Sequence, residues 1–346
     1  TWLAYADSLT LSGRYPIIKF GTNKTGILFR HPFCLIVAPT GTPQQQPSMN
    51  NLQIGRRVKM TKKILVTGGA GFVGSRLIQE LVKLKGIDVY SLDNYFTGVK
   101  ENHVDGATYI EGDCRDIRTH INFSPDIVYH FGEYSRVSTS FEDYELVWQY
   151  NVVGTHAVVE FCKQNKSKLI YSASSTKFGD DGKNKDCSPY AFHKSQNTEL
   201  INNYGEWFGL DYVICYFYNV YGAGQIGAGK YATVVGIFER QYLAKEPQSI
   251  VFPGTQARNF THIDDVVSAL MLLKGPSMGD GYSIGTDKSH MIVEVAKMFS
   301  EDVVYLDKRV GERYTTSIDL TKMNKLGWKA TIELEKYVAD FKENNK

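Results

Sequence analysis

Tyr190 and Lys194 are the residues whose types and spacing best suit acid–base chemistry. They lie four positions apart directly after Pro189, so on a helix that begins at the proline their side chains share one face. A nearby ammonium stabilises a phenolate, which can then accept a proton as a general base. The same spacing is common on solvent-exposed helices, so the interpretation depends on what surrounds the pair.

A run of hydroxyls at residues 172–176 is the second candidate group. Ser174, Ser175 and Thr176 follow an apolar strand predicted at residues 168–171. At the carboxyl end of a parallel strand such hydroxyls face the crevice where doubly wound folds bind ligands, and one could hydrogen-bond a substrate oxygen. A turn rich in serine and threonine is the alternative, and the position after a strand favours the functional interpretation.

Three glycines form a turn between an apolar run at residues 63–67 and a helical pattern. At this spacing Gly68 permits a tight turn, Gly71 lets a pyrophosphate approach the backbone, and Gly74 lets helix and strand pack closely. The helix amino terminus then supplies N–H donors to the phosphates. A simple strand-to-helix turn is the alternative, but the position after a strand favours dinucleotide binding.

Asp93 ends the second predicted strand, close to the distance of roughly 20 residues from Gly68 expected of a ribose-binding acid. A carboxylate there accepts a hydrogen bond from the 2′-hydroxyl and repels a 2′-phosphate, which favours NAD over NADP. Asp113, after the third strand, is expected to reach the adenine from the same edge. A solvated aspartate at a strand end is the alternative for Asp93.

Strands and helices alternate along the chain up to about residue 219. Runs typical of strands lie at residues 63–67, 88–92, 108–110, 127–130, 168–171 and 212–216. Helical patterns lie near residues 77–84, 147–162, 190–208, 233–244, 263–273 and 291–299. This alternation predicts an α/β fold, a doubly wound parallel sheet of the Rossmann type, with a smaller carboxyl-terminal lobe.

The domain organisation follows from these patterns. We expect an NAD-binding domain over residues 60–220 and a substrate-binding lobe over 221–346, from which the chain can return to the first domain. Residues 1–59 hold five of the ten prolines and no sustained period, and are expected to lie outside the fold, with Met60 as the natural start. A basic docking tail is the alternative for this segment.

The charge balance excludes some partners. Seven basic residues and one acid lie in the first 60 residues, which leaves 32 basic and 36 acidic residues in the remainder. The remainder is therefore net acidic, and it lacks the excess of basic charge with which proteins bind nucleic acid or an anionic membrane. The five cysteines form no CxxC pair, which argues against a zinc site or disulfide framework, predicts no bound metal and favours the cytoplasm.

Together these motifs resemble the extended short-chain dehydrogenase/reductases, and within them the NAD-dependent nucleotide-sugar epimerase/dehydratase family. The resemblance spans about residues 61–340 and is greatest to 4-epimerases of the UDP-glucose type. The motifs that carry it lie at residues 67–74, 93–94, 112–113, 128–131, 151–155, 172–179, 190–194, 218–222 and 258–265.

The resemblance implies a role for each matched residue. Ser174, Tyr190 and Lys194 would be catalytic. The residues that would bind NAD are Gly68, Gly71, Phe72, Val73, Gly74, Asp93, Asn94, Asp113, Cys114, Tyr190 and Lys194. Those that would bind the nucleotide diphosphate sugar are Ser175, Thr176, Asn219, Arg258 and Arg309, of which the arginines would hold the diphosphate. A surface salt bridge is the alternative for Arg309.

The subclass is argued from the residues after Ser174. Similar dehydratases and decarboxylases carry acidic residues there, whereas this chain has Ser175 and Thr176. The resemblance therefore implies epimerisation at C4 through a transient 4-keto sugar. A dehydratase, a decarboxylase, a reductase and a non-catalytic NAD-binding regulator are the alternatives.

Two departures from the family pattern lie close to these motifs. Glu133 would be unfavourable near a pyrophosphate unless it is paired, and Arg136 is the candidate partner. Lys177 lies in the loop that follows Ser174. The resemblance also implies a homodimer, formed through the helices at residues 147–162 and 190–208.

Overall fold

A parallel sheet of seven strands forms the centre of the computed structural model, which describes residues 61–183, 185–276 and 279–345. The strands are β1 (Lys62–Thr67), β2 (Ile87–Asp93), β3 (Ala107–Glu111), β4 (Ile127–His130), β5 (Lys168–Ser174), β6 (Tyr212–Phe217), β7 (Val220–Tyr221), β8 (Gln248–Val251), β9 (Ala257–Asn259), β10 (Thr261–His262), β11 (Gly279–Ile284), β12 (Ser289–Met291) and β13 (Val303–Leu306). The helices are α1 (Phe72–Leu81), α2 (Ile117–His120), α3 (Tyr144–Val147), α4 (Thr155–Asn165), α5 (Pro189–Phe208), α6 (Val234–Leu243), α7 (Ile263–Leu273), α8 (Ile292–Phe299), α9 (Thr321–Lys325) and α10 (Leu334–Asn344).

The winding of the sheet creates a crevice. The strand order is β11-β6-β5-β4-β1-β2-β3, and every neighbouring pair is parallel. The chain winds outward from β1 to β3 and then starts again at β4, on the other side of β1. Such a reversal opens a crevice at the carboxyl ends of the two strands. The predicted α/β fold class, a doubly wound parallel sheet, is confirmed.

Both faces of the sheet are covered, which explains the uninterrupted apolar runs in the sequence. On β1, Ile64 and Val66 pack into a core that includes α1 and α7. Leu65, which points to the opposite face, belongs to a second core that includes α4 and α5. Because β1 is buried on both sides, its carboxyl end is held firmly where the glycine turn begins.

The helix predicted over residues 147–162 is confirmed, but it is not a regular α-helix along its whole length. A π-helical segment, Trp148–Gly154, separates the short α3 from α4. Within it the fully buried Asn151 accepts a hydrogen bond from the backbone N–H of Tyr134 (2.7 Å) and donates one to its carbonyl (3.0 Å). The apolar period cannot reveal this, since the loop that Asn151 satisfies is distant in sequence.

The last part of the chain forms a separate core and also returns to the main sheet. Apolar side chains from α6, β8, α8 and α10 form this third core. After α7, β11 adds to the edge of the central sheet beside β6. The division at residue 220 remains a prediction, and the predicted extension at residues 1–59 lies outside the described residues. Within the described ranges, no helix is long and apolar enough to cross a membrane.

Candidate active site

A cavity of about 520 Å³ lies at the carboxyl ends of the central strands. It gathers residues that are far apart in the chain, from the glycine turn to the loop that follows β13. The residues predicted for the site that line it are Gly68, Gly71, Phe72, Val73, Gly74, Asp93, Asn94, Asp113, Cys114, Ser174, Ser175, Thr176, Tyr190, Lys194, Asn219, Arg258 and Arg309. The structure therefore brings all of them together, while their individual roles remain predictions.

The glycine turn is shaped to receive a phosphate. Gly68 has a φ of +69°, and a Cβ there would lie 2.8 Å from the backbone nitrogen of Gly132. A Cβ on Gly74 would lie 2.2 Å from the carbonyl oxygen of Gly68. At Gly71 a Cβ would be tight only against the Gly68 carbonyl, so the remaining space belongs to the cavity.

The amino terminus of α1 completes this turn. Gly71 caps the helix without a side-chain hydrogen bond, and the first turn carries no acidic residue. Phe72 and Val73, the first residues of the helix, line the cavity, so their N–H groups can serve a ligand. Since N–H groups at a helix start favour an anion, this cradle fits the pyrophosphate of a dinucleotide such as NAD.

The acid at the end of β2 is held rigidly. The carboxylate of Asp93 accepts hydrogen bonds from the backbone N–H groups of Ala70 and Tyr95, both at 2.8 Å. Burial raises the pKa of Asp93, although these hydrogen bonds act to lower it. A carboxylate fixed in this way retains lone pairs that can accept from ribose hydroxyls.

A second acid lies after β3. Asp113 accepts from the Asn94 amide (2.9 Å) and pairs with the guanidinium of Arg115 (2.9 Å). Burial acts to raise the pKa of Asp113, but the hydrogen bonds from Arg115 and Asn94 outweigh it and leave the pKa below its ordinary value. Asp113 is therefore a carboxylate at neutral pH.

The hydroxyl of Ser174 lies at the end of β5 with a defined hydrogen-bond direction. Its oxygen accepts from the backbone N–H (3.2 Å) and the hydroxyl (3.0 Å) of Thr176. Because a serine hydroxyl has two acceptor sites and one proton, that proton is left to donate to a ligand in the cavity.

Tyr190 and Lys194 lie in the first two turns of α5. Ser188 caps this helix by accepting from the backbone N–H of Ala191 (3.1 Å), and Pro189 is its first residue. The ammonium of Lys194 donates to the carbonyl of Ser172 (2.6 Å). It also forms a salt bridge with the carboxylate of Glu133, in which the two side chains are only 6% and 2% exposed.

The expected pairing of Glu133 with Arg136 is wrong. The Arg136 guanidinium donates instead to the Tyr231 carbonyl, at 2.7 Å from Nε, while Glu133 pairs with Lys194. The second carboxylate oxygen of Glu133 accepts from the side chains of Thr155 (2.9 Å), Tyr171 (3.0 Å) and Asn197 (3.1 Å). Glu133 is therefore a satisfied, buried carboxylate beneath the catalytic candidates.

A chain of hydrogen bonds joins Glu133 to the glycine turn. The ring of His130 contacts the hydroxyls of Thr67 (2.7 Å) and Thr155 (3.0 Å). Since the Thr155 proton is donated to Glu133, Thr155 must accept from Nε2–H of His130, and Nδ1 must accept from Thr67. His130 is thus neutral, and burial lowers its pKa to about 4.

Two arginines and an asparagine that were predicted to bind the sugar nucleotide also line the cavity. Arg258 is partly buried, with 11% of its side chain exposed, and donates to the Glu312 carboxylate (3.1 Å) and the Arg313 carbonyl (2.8 Å). Burial lowers the pKa of Arg258. Asn219 has a φ of +34° and donates to the Asn259 carbonyl (2.9 Å), whereas Arg309 is exposed.

Arg313 is a residue of the site that no sequence motif predicts, and Lys177, one of the two departures from the family pattern, does not line the cavity. Arg313 lines the cavity and is 8% exposed, and burial together with the charge of Arg258 lowers its pKa to about 10. No motif or spacing marks Arg313. The Lys177 ammonium lies outside the cavity lining, against the hydroxyls of Thr198 (2.8 Å) and Tyr216 (3.2 Å).

The fold and the site together define an NAD-dependent enzyme of the short-chain dehydrogenase/reductase type. Residues 64–285 match the NAD dependent epimerase/dehydratase family, and the chain belongs to that family. Because the family is NAD-dependent, the cofactor prediction is confirmed, as is the predicted family.

Individual relatives span nearly the same length. A protein of Methanocaldococcus jannaschii named as a candidate UDP-glucose 4-epimerase is 32% identical, over 82% of this chain and 99% of that protein. UDP-glucuronic acid decarboxylase 5 of Arabidopsis thaliana is 27% identical, over 85% and 92%. The crystal structure of Thermus thermophilus UDP-glucose 4-epimerase in complex with NAD superposes with a TM-score of 0.73 at 28% identity, over 81% of this chain and 99% of that one.

The buried neutral His130 predicts a pH-dependent stability. Its pKa is lowered from 6.5 to about 4 in the folded protein, so between these pH values the unfolded chain binds a proton that the folded protein does not. The free energy of unfolding therefore falls by up to about 3 kcal/mol as the pH is lowered through this window. Urea unfolding at pH 7 and pH 4 should show this loss in the wild type relative to His130→Gln. The same substitution at the exposed His156 should leave the pH dependence unchanged.

Proposed function

We propose that the protein is an NAD-dependent 4-epimerase of a nucleotide diphosphate sugar of the UDP-glucose/UDP-galactose type. The observation that carries the proposal is the hydroxyl-only loop of Ser174, Ser175 and Thr176 beside Tyr190 and Lys194 in one cavity. This set can move a proton to and from a sugar hydroxyl.

The acids that line the cavity support epimerisation over elimination. The described lining includes Asp93, Asp113, Glu133 and Glu312. Glu133 is paired with Lys194, Glu312 with Arg258 and Asp113 with Arg115, while Asp93 accepts from the glycine turn. Elimination of water needs a second acid–base group at the sugar, and the loop after Ser174 supplies only hydroxyls. The dehydratase and decarboxylase alternatives are therefore less favoured, although relatives include both.

Each residue has a task in the proposed reaction. Ser174 donates its free proton to the C4 oxygen and orients it, and Tyr190 as phenolate removes the proton from the C4 hydroxyl. Lys194, held by Glu133 and the Ser172 carbonyl, stabilises the phenolate and is placed to donate to ribose hydroxyls. NAD, when bound, supplies the hydride acceptor and returns the hydride, so it is regenerated in each turnover. Arg258 and Arg309 hold the diphosphate while the 4-keto sugar rotates in the cavity and presents its other face.

Incubation with candidate substrates tests the proposal. We expect the purified protein, without added NAD, to form the C4 epimer of at least one of UDP-glucose, UDP-galactose, their N-acetyl forms and UDP-glucuronic acid, as seen by NMR. Tyr190→Phe should lower kcat by at least about 100-fold, because a general base contributes about 10²–10⁴-fold. Tyr305→Phe, at an exposed tyrosine, is the control.

Two outcomes would count against the 4-epimerase. Unchanged sugars in the presence of bound NAD would exclude it for these substrates. A Tyr190→Phe variant with wild-type turnover would exclude Tyr190 as the base. A non-catalytic NAD-binding regulator would show neither turnover nor any effect of Tyr190→Phe on the amount of NAD bound.

The pairing of Glu133 with Lys194 predicts a shifted pH profile. Glu133→Gln keeps a hydrogen-bonding side chain but removes a negative charge close to the ammonium. With that negative charge gone, the ammonium favours the phenolate more strongly, so the acidic limb of the kcat profile should move to lower pH. Glu312→Gln, at the other paired acid, should leave this limb in place. A profile that falls uniformly without shifting would instead indicate a purely structural role for Glu133.

We also propose a cytoplasmic homodimer. Large aromatic side chains are exposed on α3, the π-helical segment and α5, at Tyr144, Trp148, Phe192, Trp207 and Phe208. Large aromatic side chains exposed on neighbouring helices are typical of an interface. The cysteines of the described residues are unpaired thiols, which suits a reducing compartment.

Light scattering tests the dimer. The wild type should have the mass of two chains, and the double substitution Trp148→Glu, Phe192→Glu should give monomers, because two charges would be buried in the interface. Leu272→Glu, which charges an exposed apolar position on α7, is the control and should remain dimeric. A wild-type monomer would exclude the proposal.

A further inference from the structure

The guanidiniums of Arg258 and Arg313 belong to residues that line the same cavity, and among the described residues only Arg258 has an acidic partner. Arg258 forms a salt bridge with Glu312 (3.1 Å). Arg313 forms none with any described residue. Its Nη2 donates to the Ser175 hydroxyl (3.0 Å), and its Nη1 is buried without a partner.

An unmatched guanidinium at this depth is unfavourable. Burial of a charge without a counter-charge costs free energy, and each buried donor without an acceptor adds to the cost. Arg313 is 8% exposed and has the charge of Arg258 as its neighbour. The planar fork of a guanidinium matches a carboxylate or phosphate, so an anionic group of the ligand would remove both penalties.

The position of Arg313 indicates which part of the ligand it would meet. Arg313 contacts Ser175, and the preceding residue is Ser174, whose proton is free for the C4 oxygen. In a hexose ring the diphosphate is attached at C1, on the opposite side of the ring from C4. The C5 substituent, in contrast, is attached next to C4. With C4 at Ser174, as the proposed function has it, the ring positions next to Ser175 and Arg313 are the neighbours of C4, which are C3 and C5. Of these two, C5 is the one that carries a carboxylate in a hexuronic acid.

We infer that Arg313 and Ser175 form a subsite for a carboxylate on C5, so that the preferred substrate is a nucleotide diphosphate hexuronic acid. This inference rests on the proposed 4-epimerase, since that function places C4 at Ser174. The fork of Arg313 would bind the carboxylate, and the Ser175 hydroxyl would fix the orientation of the fork. A neutral hexose, with a hydroxymethyl group at C5, would leave the guanidinium without its counter-charge.

Calorimetric titration of the NAD-loaded protein with UDP, UDP-glucose and UDP-glucuronic acid tests the subsite. The wild type should bind UDP-glucuronic acid at least about 10-fold more tightly than UDP-glucose, because only the carboxylate can form charge-assisted hydrogen bonds with the fork of Arg313. Arg313→Met should abolish this preference and leave the Kd values of UDP and UDP-glucose within about threefold. Arg313→Lys, which keeps the charge but lacks the fork, should retain part of the preference.

The outcomes separate this inference from the proposed function. Equal wild-type affinities for the two sugars would overturn the subsite, and that comparison needs no variant to fold. An equal loss for all three ligands in Arg313→Met would show that Arg313 binds the diphosphate, which also overturns it. Turnover is measured with the same ligands. Epimerisation of neutral sugars without the preference supports the 4-epimerase alone, whereas the preference without any C4 epimer supports the subsite and rejects the 4-epimerase.

Discussion

The salt bridge between Lys194 and Glu133 is the interaction on which the rest of the site depends. Both side chains are almost fully buried, so neither charge can be satisfied by water. Removal of one partner from such a pair typically costs about 3–5 kcal/mol, because the other charge is left buried alone. Because separation of the pair is so unfavourable, the salt bridge holds the loop after β4 against the first turns of α5 and fixes the ammonium near the end of β5.

The pair also organises the structure around it. Asn197, which donates to Glu133, donates to the Asn151 carbonyl as well (2.6 Å), and so connects the pair to the π-helical segment. Thr155 and His130 connect it to Thr67, the last residue of β1 and the start of the glycine turn. Networks of this kind are rigid when every member is satisfied. The cofactor cradle and the acid–base residues therefore share one hydrogen-bonded support.

Much of the fold and the membership of the site could be predicted because they depend on local patterns. The strands are buried on both faces, so they appear as apolar runs, and glycine is required at 68 and 74 by close backbone contacts. Asp93 and Ser174 could be predicted to share a site because the carboxyl ends of parallel strands meet at one edge of the sheet. Tyr190 could be added because it begins the helix that follows β5.

The remaining features depend on contacts between distant segments, which no local pattern encodes. The partner of Glu133 lies 61 positions away, and the π-helical segment follows from a contact between Asn151 and Tyr134. Lys177 follows Ser174 closely in sequence, but its side chain extends toward Thr198, which lies 21 positions further along the chain. Arg313 could not be predicted because it lies 138 positions after Ser175 in the sequence and contacts it only in the folded protein.

The late return of β11 to the central sheet has a consequence for synthesis of the protein on the ribosome. Until Ile284 has emerged, β6 lacks its outer neighbour, and its edge offers unpaired backbone groups to other chains. The core that includes α1 is likewise incomplete before α7 and Trp328 arrive. A nascent chain that stops near residue 220 would contain the glycine turn, Tyr190 and Lys194 and yet present an open sheet edge. Such fragments should be poor independent folding units and good clients for chaperones.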